Sequence, residues 1–214
     1  MSPMFSLPVP LPVTLYLLIG LLLAAPLAMW AVRLSPAQAG WRLQGWRTPA
    51  LGVGWGIILA AGLLAWLKYL MLTGDYLPIP TVVRPHDWAI LALAAPVAEE
   101  IFLRGVLFGS LQRNWSLLWA VVLSATADVV LHYSQPWIAM HFVVAAGYAL
   151  SFRQANSIFT PIIAHALAVG GLLLARMAPG SVQELPWALL LLAGAAGLAF
   201  IAAGSIRRRV VSRD

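Results

Sequence analysis

The chain has 214 residues, of which 62% are hydrophobic and only 9% are charged, whereas soluble domains carry about 25% charged residues. This composition excludes an ordinary soluble domain and, with apolar runs of about 20 residues, predicts a polytopic membrane protein. The formal net charge of +6 comes from few basic residues that lie between apolar runs, so membrane topology explains it better than nucleic-acid binding. The absence of cysteine excludes disulfides, thiol catalysis and cysteine-ligated metals.

Seven apolar segments are predicted to be membrane helices, which gives an all-α, polytopic transmembrane helix bundle. In chain order they cover residues 12–32, 50–73, 87–110, 116–134, 137–152, 156–177 and 185–206. No soluble region interrupts them, so residues 1–214 are expected to form a single integral-membrane domain. The first segment is expected to be a retained helix, because residues 1–12 lack the basic residues that begin a cleaved signal peptide.

The distribution of cations predicts the orientation of the bundle. With the N-terminus outside and the C-terminus cytoplasmic, nine arginines lie on the inner side and two on the outer side, as the positive-inside rule requires. The inner set is Arg33, Arg42, Arg47, Arg113, Arg153, Arg207, Arg208, Arg209 and Arg213, and the outer set is Arg84 and Arg176. Twelve of the thirteen cations are arginine, which is compatible with a bacterial source and an inner-membrane location.

Ionisable residues within membrane segments are costly unless they are paired, so each one marks a candidate functional site. Apart from Lys68 they are concentrated in the third to sixth segments. The full set is Lys68, Glu99, Glu100, Arg104, Asp128, His132, His141 and His165. Lys68 is expected to extend to the interface, and His141 is expected to be structural.

The third segment carries two adjacent glutamates and an arginine in "EEIFLR". Glu100 and Arg104 are four residues apart on one helix face and are predicted to form an ion pair. Glu99 is turned about 100° away from Glu100 and can point into a cavity, while Pro96 can kink the helix one turn earlier. One glutamate would then be neutralised and the other available as a general acid or base. The alternative is a salt-bridged helix turn without chemistry.

The fourth and sixth segments add a second carboxylate and two histidines. Asp128 and His132 are again four residues apart, and a carboxylate can orient an imidazole. His165 lies in mid-helix among small residues, which permit close helix approach. Each residue alone could be structural. Together with Glu99, however, the two histidines come from different helices and can converge on one cavity, where a glutamate can activate water and a histidine can donate a proton or stabilise an oxyanion.

The motif "EEIFLRG", followed by His132 and His165, resembles the CPBP family of intramembrane proteases, named for CAAX processing and bacteriocin processing. The resemblance covers residues 87–175 as a protease-like core. The family's motifs are Glu-Glu-x-x-x-Arg, Phe-x-x-x-His and His-x-x-x-Asn. The resemblance implies that Glu99 activates the hydrolytic water, with Glu100 and Arg104 in support. It also implies that His132 assists Glu99 and that His165 stabilises the oxyanion.

Two positions depart from the family motifs. Asp128 stands where the second motif has phenylalanine, and Val169 stands where the third motif commonly has asparagine. The loss of an oxyanion donor can reduce the rate by about 10²–10³. Asp128 could instead tune His132 or join a metal site.

A glutamic-type endopeptidase without a metal cofactor is favoured, because the His-Glu-x-x-His signature of metalloproteases is absent. In the metal-dependent alternative, zinc would be held by Glu99, His132 and His165, with an open position for water. The expected partners are membrane lipid and a membrane-anchored peptide or protein, for example one with a C-terminal anchor. Nucleic acid is not an expected partner.

Two other functions remain as alternatives. A non-catalytic relative, acting in bacteriocin immunity or in binding a membrane partner, would explain Val169. A proton-coupled transporter would explain the buried carboxylates and histidines, although the chain has no internal repeat of the kind that transporters show.

The predicted segments also place two site residues at different depths in the membrane. Glu99 lies about 18 Å from the outer start of its segment, whereas His132 lies near the outer end of the next one. The fourth helix is therefore expected to be tilted or deeply placed, or the segment ends are expected to shift.

Overall fold

The computed structural model describes residues 11–74, 90–132, 138–177 and 179–210 of the chain. These ranges form eight helices and contain no strand, which confirms the predicted all-α class. The helices are α1 (Leu11–Ala31), α2 (Arg47–Thr73), α3 (residues 90–114), α4 (Leu117–Leu131), α5 (Ile138–Ala155), α6 (Phe159–Met177), α7 (Pro179–Glu184) and α8 (Trp187–Val210).

Each of the seven predicted segments coincides with one helix, and the described helix ends lie within four residues of the predicted ends. Residues 87–89, 133–134 and 137 of the predicted segments lie outside the described residues. The short helix α7 was not predicted. By length and composition, Arg47–Thr73 and Trp187–Ser205 could each cross a membrane, and there are shorter apolar helices at Ile19–Ala31, Leu117–Leu131 and Phe159–Ala175. The count of seven spans, the single domain and the core limits of 87–175 stay predictions.

Glycines on two sides of α2 let the neighbouring helices approach closely. A β-carbon built on Gly52 would lie 2.8 Å from the Cβ of Ile163 on α6. One built on Gly54 would lie 2.8 Å from the carbonyl oxygen of Gly197 on α8, and Gly56 repeats the α6 contact one turn later. Small residues at such positions are the usual means of packing membrane helices. They make α2 the helix on which α6 and α8 both pack.

Lys68, near the end of α2, joins this helix to α7. Its ammonium group donates to the carbonyl oxygen of Gln183 and lies 5.5 Å from the ring centre of Trp187. The residue is 6% exposed, so its charge is satisfied by these contacts inside the protein.

Helix α3, which carries the two glutamates, changes its winding along its length. Ile90–Ala94 and Ile101–Phe108 are π-helical, whereas Ala95–Glu100 and the last six residues are α-helical. Pro96 lies in the first turn of the α-helical stretch, directly after the first π-helical stretch, so its missing N–H removes one hydrogen bond from the continuous helix. Widened π turns inside helices frequently occur at functional sites, and here the second one contains Arg104.

In the α3–α4 hairpin Glu99 and His132 lie at similar heights, in contrast to the difference in depth expected from the predicted segments. Its two antiparallel helices are joined only by Trp115 and Ser116, and the Ser116 side chain caps α4. Glu99 precedes Trp115 by sixteen residues, and His132 follows Ser116 by sixteen. Because equal distances from a tight turn correspond to similar heights in a hairpin, the two side chains lie side by side.

The close contact between α2 and α8 predicts a difference between two glycines of α8. A β-carbon on Gly197 would lie 2.6 Å from a side-chain carbon of Ile58 and 2.7 Å from the Gly54 carbonyl oxygen, whereas Gly194 has nothing within 4 Å. We expect Gly197→Ala to lower the free energy of unfolding by about 1–3 kcal/mol through overpacking. Gly194→Ala should leave it unchanged or raise it by up to about 1 kcal/mol, since alanine is the better helix former.

The measurement is reversible unfolding of the full-length protein in mild detergent micelles. Equal stability of the two variants would contradict the close α2–α8 packing.

Candidate active site

Glu99 lies where α3, α4 and α6 meet, and it contacts a histidine from each of the other two helices. Its Oε1 is 3.1 Å from Nε2 of His132, and its Oε2 is 3.7 Å from Nε2 of His165. Glu99 and His165 are each 8% exposed. The structure therefore brings together the glutamate and the two histidines that the sequence assigned to one cavity.

Glu100 points away from Glu99 and is completely buried. Its Oε1 is 2.8 Å from Nδ1 of His165, and its Oε2 is 3.3 Å from Nε of Arg104. This contact confirms the predicted ion pair, although the atoms are not aligned as a hydrogen bond. Glu100 thus holds both the arginine and the imidazole of His165.

Arg104 is completely buried and joins three helices. One terminal nitrogen donates to Oδ2 of Asp128 at 2.5 Å, and the other donates to the carbonyl oxygen of Ala145 on α5 at 2.7 Å. The guanidinium carbon lies 5.4 Å from the ring centre of Tyr148. Two carboxylates from different helices therefore balance one buried cation.

Asp128, which departs from the family motif, is the link between the arginine and the histidines. It is 1% exposed, and its Oδ1 is 3.1 Å from Nδ1 of His132 and 3.2 Å from Nε2 of His141. A phenylalanine here could not bind Arg104 or orient His132. Asp128 therefore contacts His132 directly, while both interpretations of this departure, tuning of His132 and membership of a metal site, stay predictions.

The six side chains form a closed ring of polar contacts across α3, α4 and α6. In order around the ring they are Glu99, His132, Asp128, Arg104, Glu100 and His165, and His165 returns to Glu99. Every acidic oxygen of the ring faces a nitrogen of a basic side chain, which is how charges can be tolerated in an apolar bundle.

Two residues of the site were missed by the sequence analysis. His141, expected to be structural, stacks on His132 with ring centres 4.8 Å apart, in addition to its contact with Asp128. Tyr148 stacks on His165 with ring centres 4.5 Å apart. Tyr148 and His165 lie at nearly equal sequence distances from the α5–α6 turn at residues 156–158. This spacing is the sequence feature that could have predicted the contact between them. His141 had been named among the ionisable residues of the membrane segments, but its contacts with Asp128 and His132 were not predicted.

Val169 lies one turn after His165 on α6 and is partly buried. Its side chain has no polar atom, so it offers no hydrogen bond where the family motif places an amide.

Two sets of residues in the described structure could hold a metal ion. Ligand atoms of Asp128, His132 and His141 all lie within 4.8 Å of one another. In the metal-dependent alternative the ligands are Glu99, His132 and His165, and there the two histidines approach different oxygens of Glu99. Zinc binding by that second set stays a prediction.

A comparison with known protein families matches the region of the chain that contains the polar ring. Residues 81–171 match the model of a family described as type II CAAX prenyl endopeptidase Rce1-like. This match confirms the resemblance to the CPBP and CAAX protease family. The matched family is a protease family. The matched residues of this chain include all six residues of the polar ring. No curated protein and no solved structure matched the chain.

The family match and the apolar helices together indicate an integral membrane protein. The buried ring agrees with this environment, because charged groups in membrane proteins face the bundle interior and pair with one another.

Arg104 and Arg113 provide a matched pair for testing the ring, since both lie on α3. Arg104→Ala would leave Glu100 and Asp128 as uncompensated buried charges, so we expect a loss of about 3–5 kcal/mol in the free energy of unfolding. Within the described residues, Arg113 makes exposed contacts with loop carbonyl groups, and Arg113→Ala should change stability by no more than about 0.5 kcal/mol. Detergent-solubilised protein can be compared by chemical unfolding. Similar losses in both variants would contradict the assigned role of Arg104.

Proposed function

We propose that the protein is an intramembrane endopeptidase in which Glu99 activates the water that attacks a peptide bond. The observation that carries this proposal is the position of the Glu99 carboxylate between two imidazoles from two other helices. A buried carboxylate with two positioned histidines provides both a proton acceptor and proton donors. Hydrolysis of an amide requires both.

Glu99 serves as the general base. Its Oε1 is oriented by Nε2 of His132 at 3.1 Å, which leaves Oε2 as the oxygen that accepts a proton from water. The water oxygen then attacks the scissile carbonyl carbon, and the proton held by the glutamate passes to the leaving amine. General acid–base catalysis of this kind contributes about 10²–10⁴ in rate.

His165 serves as the oxyanion stabiliser. Its Nδ1 is committed to Glu100 at 2.8 Å, and its Nε2 lies 3.7 Å from Glu99, a longer separation than a direct hydrogen bond. The carbonyl oxygen of a substrate would lie against Nε2, beside the attacking water. This role requires protons on both ring nitrogens, so that Nδ1–H donates to Glu100 while Nε2–H donates to the oxyanion.

Glu100, Arg104 and Asp128 act as positioning residues in this proposal. They touch the two histidines or one another, and they hold the imidazoles of His132 and His165 in place. Because Asp128 carries out this positioning, the departure at its position is compatible with activity. The base is a carboxylate, and the reaction is glutamic-type, with no metal required for the attack.

The orientation inferred from the arginines suggests the class of substrate. With the N-terminus outside and the C-terminus in the cytoplasm, the end of α4 that carries His132 faces the outer side of a bacterial inner membrane. His132 and His141 are about one-third exposed, whereas Glu99 and His165 are nearly buried, so a substrate would enter from that end. This arrangement favours exported proteins with a membrane-embedded C-terminal anchor over cytoplasmic prenylated tails.

The proposal predicts that Glu99→Gln abolishes cleavage while leaving the fold intact. The full-length protein is reconstituted in liposomes with peptides of two classes, one with a C-terminal hydrophobic anchor and one with a prenylated CAAX tail. We expect the variant to cleave about 10²–10⁴ times more slowly, because glutamine cannot accept the proton of water. Products are identified by mass spectrometry.

Glu184→Gln is the matched control, since Glu184 is exposed on α7, and it should cleave at the wild-type rate. The assay is run in excess chelator, because a glutamic-type reaction needs no metal. Wild-type cleavage of neither peptide class, or undiminished cleavage by Glu99→Gln, contradicts the proposal. Loss of cleavage in chelator that zinc restores contradicts its glutamic-type form.

A further inference from the structure

Asp128, His132 and His141 have the spacing of ligands around a metal ion. One carboxylate oxygen, Oδ1 of Asp128, is 3.1 Å from Nδ1 of His132 and 3.2 Å from Nε2 of His141. The three ligand atoms all lie within 4.8 Å of one another. Nitrogen and oxygen ligands lie about 2.0–2.2 Å from zinc in tetrahedral sites, which places neighbouring ligand atoms about 3.3–3.5 Å apart. The two separations from Oδ1 are already close to this spacing, and the separation between the histidine nitrogens, which lies within 4.8 Å, is the one that would shorten on binding.

The second polar atoms of the Asp128 and His132 side chains already contact residues outside the proposed site. Oδ2 of Asp128 accepts from Arg104 at 2.5 Å, which leaves Oδ1 directed at the histidines. Nε2 of His132 contacts Glu99 at 3.1 Å, whereas Nδ1 lies 3.1 Å from both Oδ1 and the backbone carbonyl oxygen of Asp128. A ligand histidine whose second nitrogen donates to a carboxylate is the usual outer arrangement of a protein metal site.

The charges of the cluster leave room for a divalent cation. Glu99, Glu100 and Asp128 carry three negative charges, and Arg104 supplies one positive charge. With His165 protonated, as its proposed role requires, and the other imidazoles neutral, the described cluster has a net charge of about −1, which is costly to bury. A second protonated imidazole or a bound metal ion would offset it.

We propose that Asp128, His132 and His141 bind one divalent first-row transition-metal ion, with zinc the best match to the ligand types. Two imidazoles and one carboxylate suit zinc, whereas calcium and magnesium prefer oxygen ligands. The two histidines are 32% and 29% exposed, so the ion can reach them and retain an open coordination position. The ion is held at Nδ1 of His132. Its binding is measured without a substrate, so failure of this proposal and failure of the proposed hydrolysis are separate results.

Cobalt(II) titration tests the proposal without a substrate, because tetrahedral cobalt–imidazole sites absorb visible light. The full-length protein in detergent, freed of metal by chelator and dialysis, is titrated with cobalt(II) and then with zinc. We expect one cobalt per chain with a visible absorption band, and displacement of that band by equimolar zinc. His141→Ala should weaken cobalt binding at least about 10-fold. This lower limit is the smallest effect usually seen when a residue that supports a metal ligand is replaced.

His165→Gln is the matched control, because His165 belongs to the polar ring but not to the proposed site, and it should bind cobalt as the wild type does. His141→Gln is a second variant, since its amide can still donate to Asp128 while removing the imidazole ligand, and it should also lose binding. The proposal is overturned if the wild type binds no cobalt, which would leave protonated imidazoles as the counter-charge. It is equally overturned if binding depends on His165 and survives both substitutions of His141.

Discussion

The burial of Arg104 is the constraint on which the rest of the site depends. A guanidinium that is completely buried must have its charge balanced inside the protein. Glu100 supplies one carboxylate from the same helix, and Asp128 supplies another from α4. The carbonyl oxygen of Ala145 completes the contacts from α5. Helices α3, α4 and α5 are thereby held in one arrangement around a single cation.

The positions of the histidines follow from this arrangement. Asp128 is fixed by Arg104 through one oxygen and aligns His132 and His141 through the other. Glu100, held on the other side of the guanidinium, aligns His165. Glu99 is the acidic residue of the ring that has no contact with Arg104 in the described structure, and it receives both aligned imidazoles instead. The structural charges thus form a support for the carboxylate assigned to catalysis.

Local spacing in the sequence was sufficient to predict the pairs within one helix. Glu100 with Arg104 and Asp128 with His132 are four residues apart, and both pairs are in contact. The helices themselves were predictable because long apolar runs form helices in lipid. The meeting of Glu99 with His132 was also implicit, since both lie sixteen residues from one tight turn.

Contacts between helices were harder to predict from the sequence than contacts within one helix. The membership of His141 and Tyr148 depends on how α5 packs against α3, α4 and α6, and apolar periodicity does not specify that packing. The glycines of "GVGWG" at positions 52–56 did carry a packing signal, because small residues mark close helix contacts in membranes. Which helix each glycine would contact depends on the assembled bundle.

A double-mutant cycle on Arg104 and Asp128 measures most directly whether one buried cation organises the site. The variants are Arg104→Met, Asp128→Leu and the double substitution, compared by their free energies of unfolding in detergent micelles. Each single change leaves an unbalanced buried charge, so the double variant should be more stable than the sum of the single losses implies, by about 2–3 kcal/mol. Additive losses, equal to within about 0.5 kcal/mol, would contradict a direct contact between the two side chains and the ring built on it.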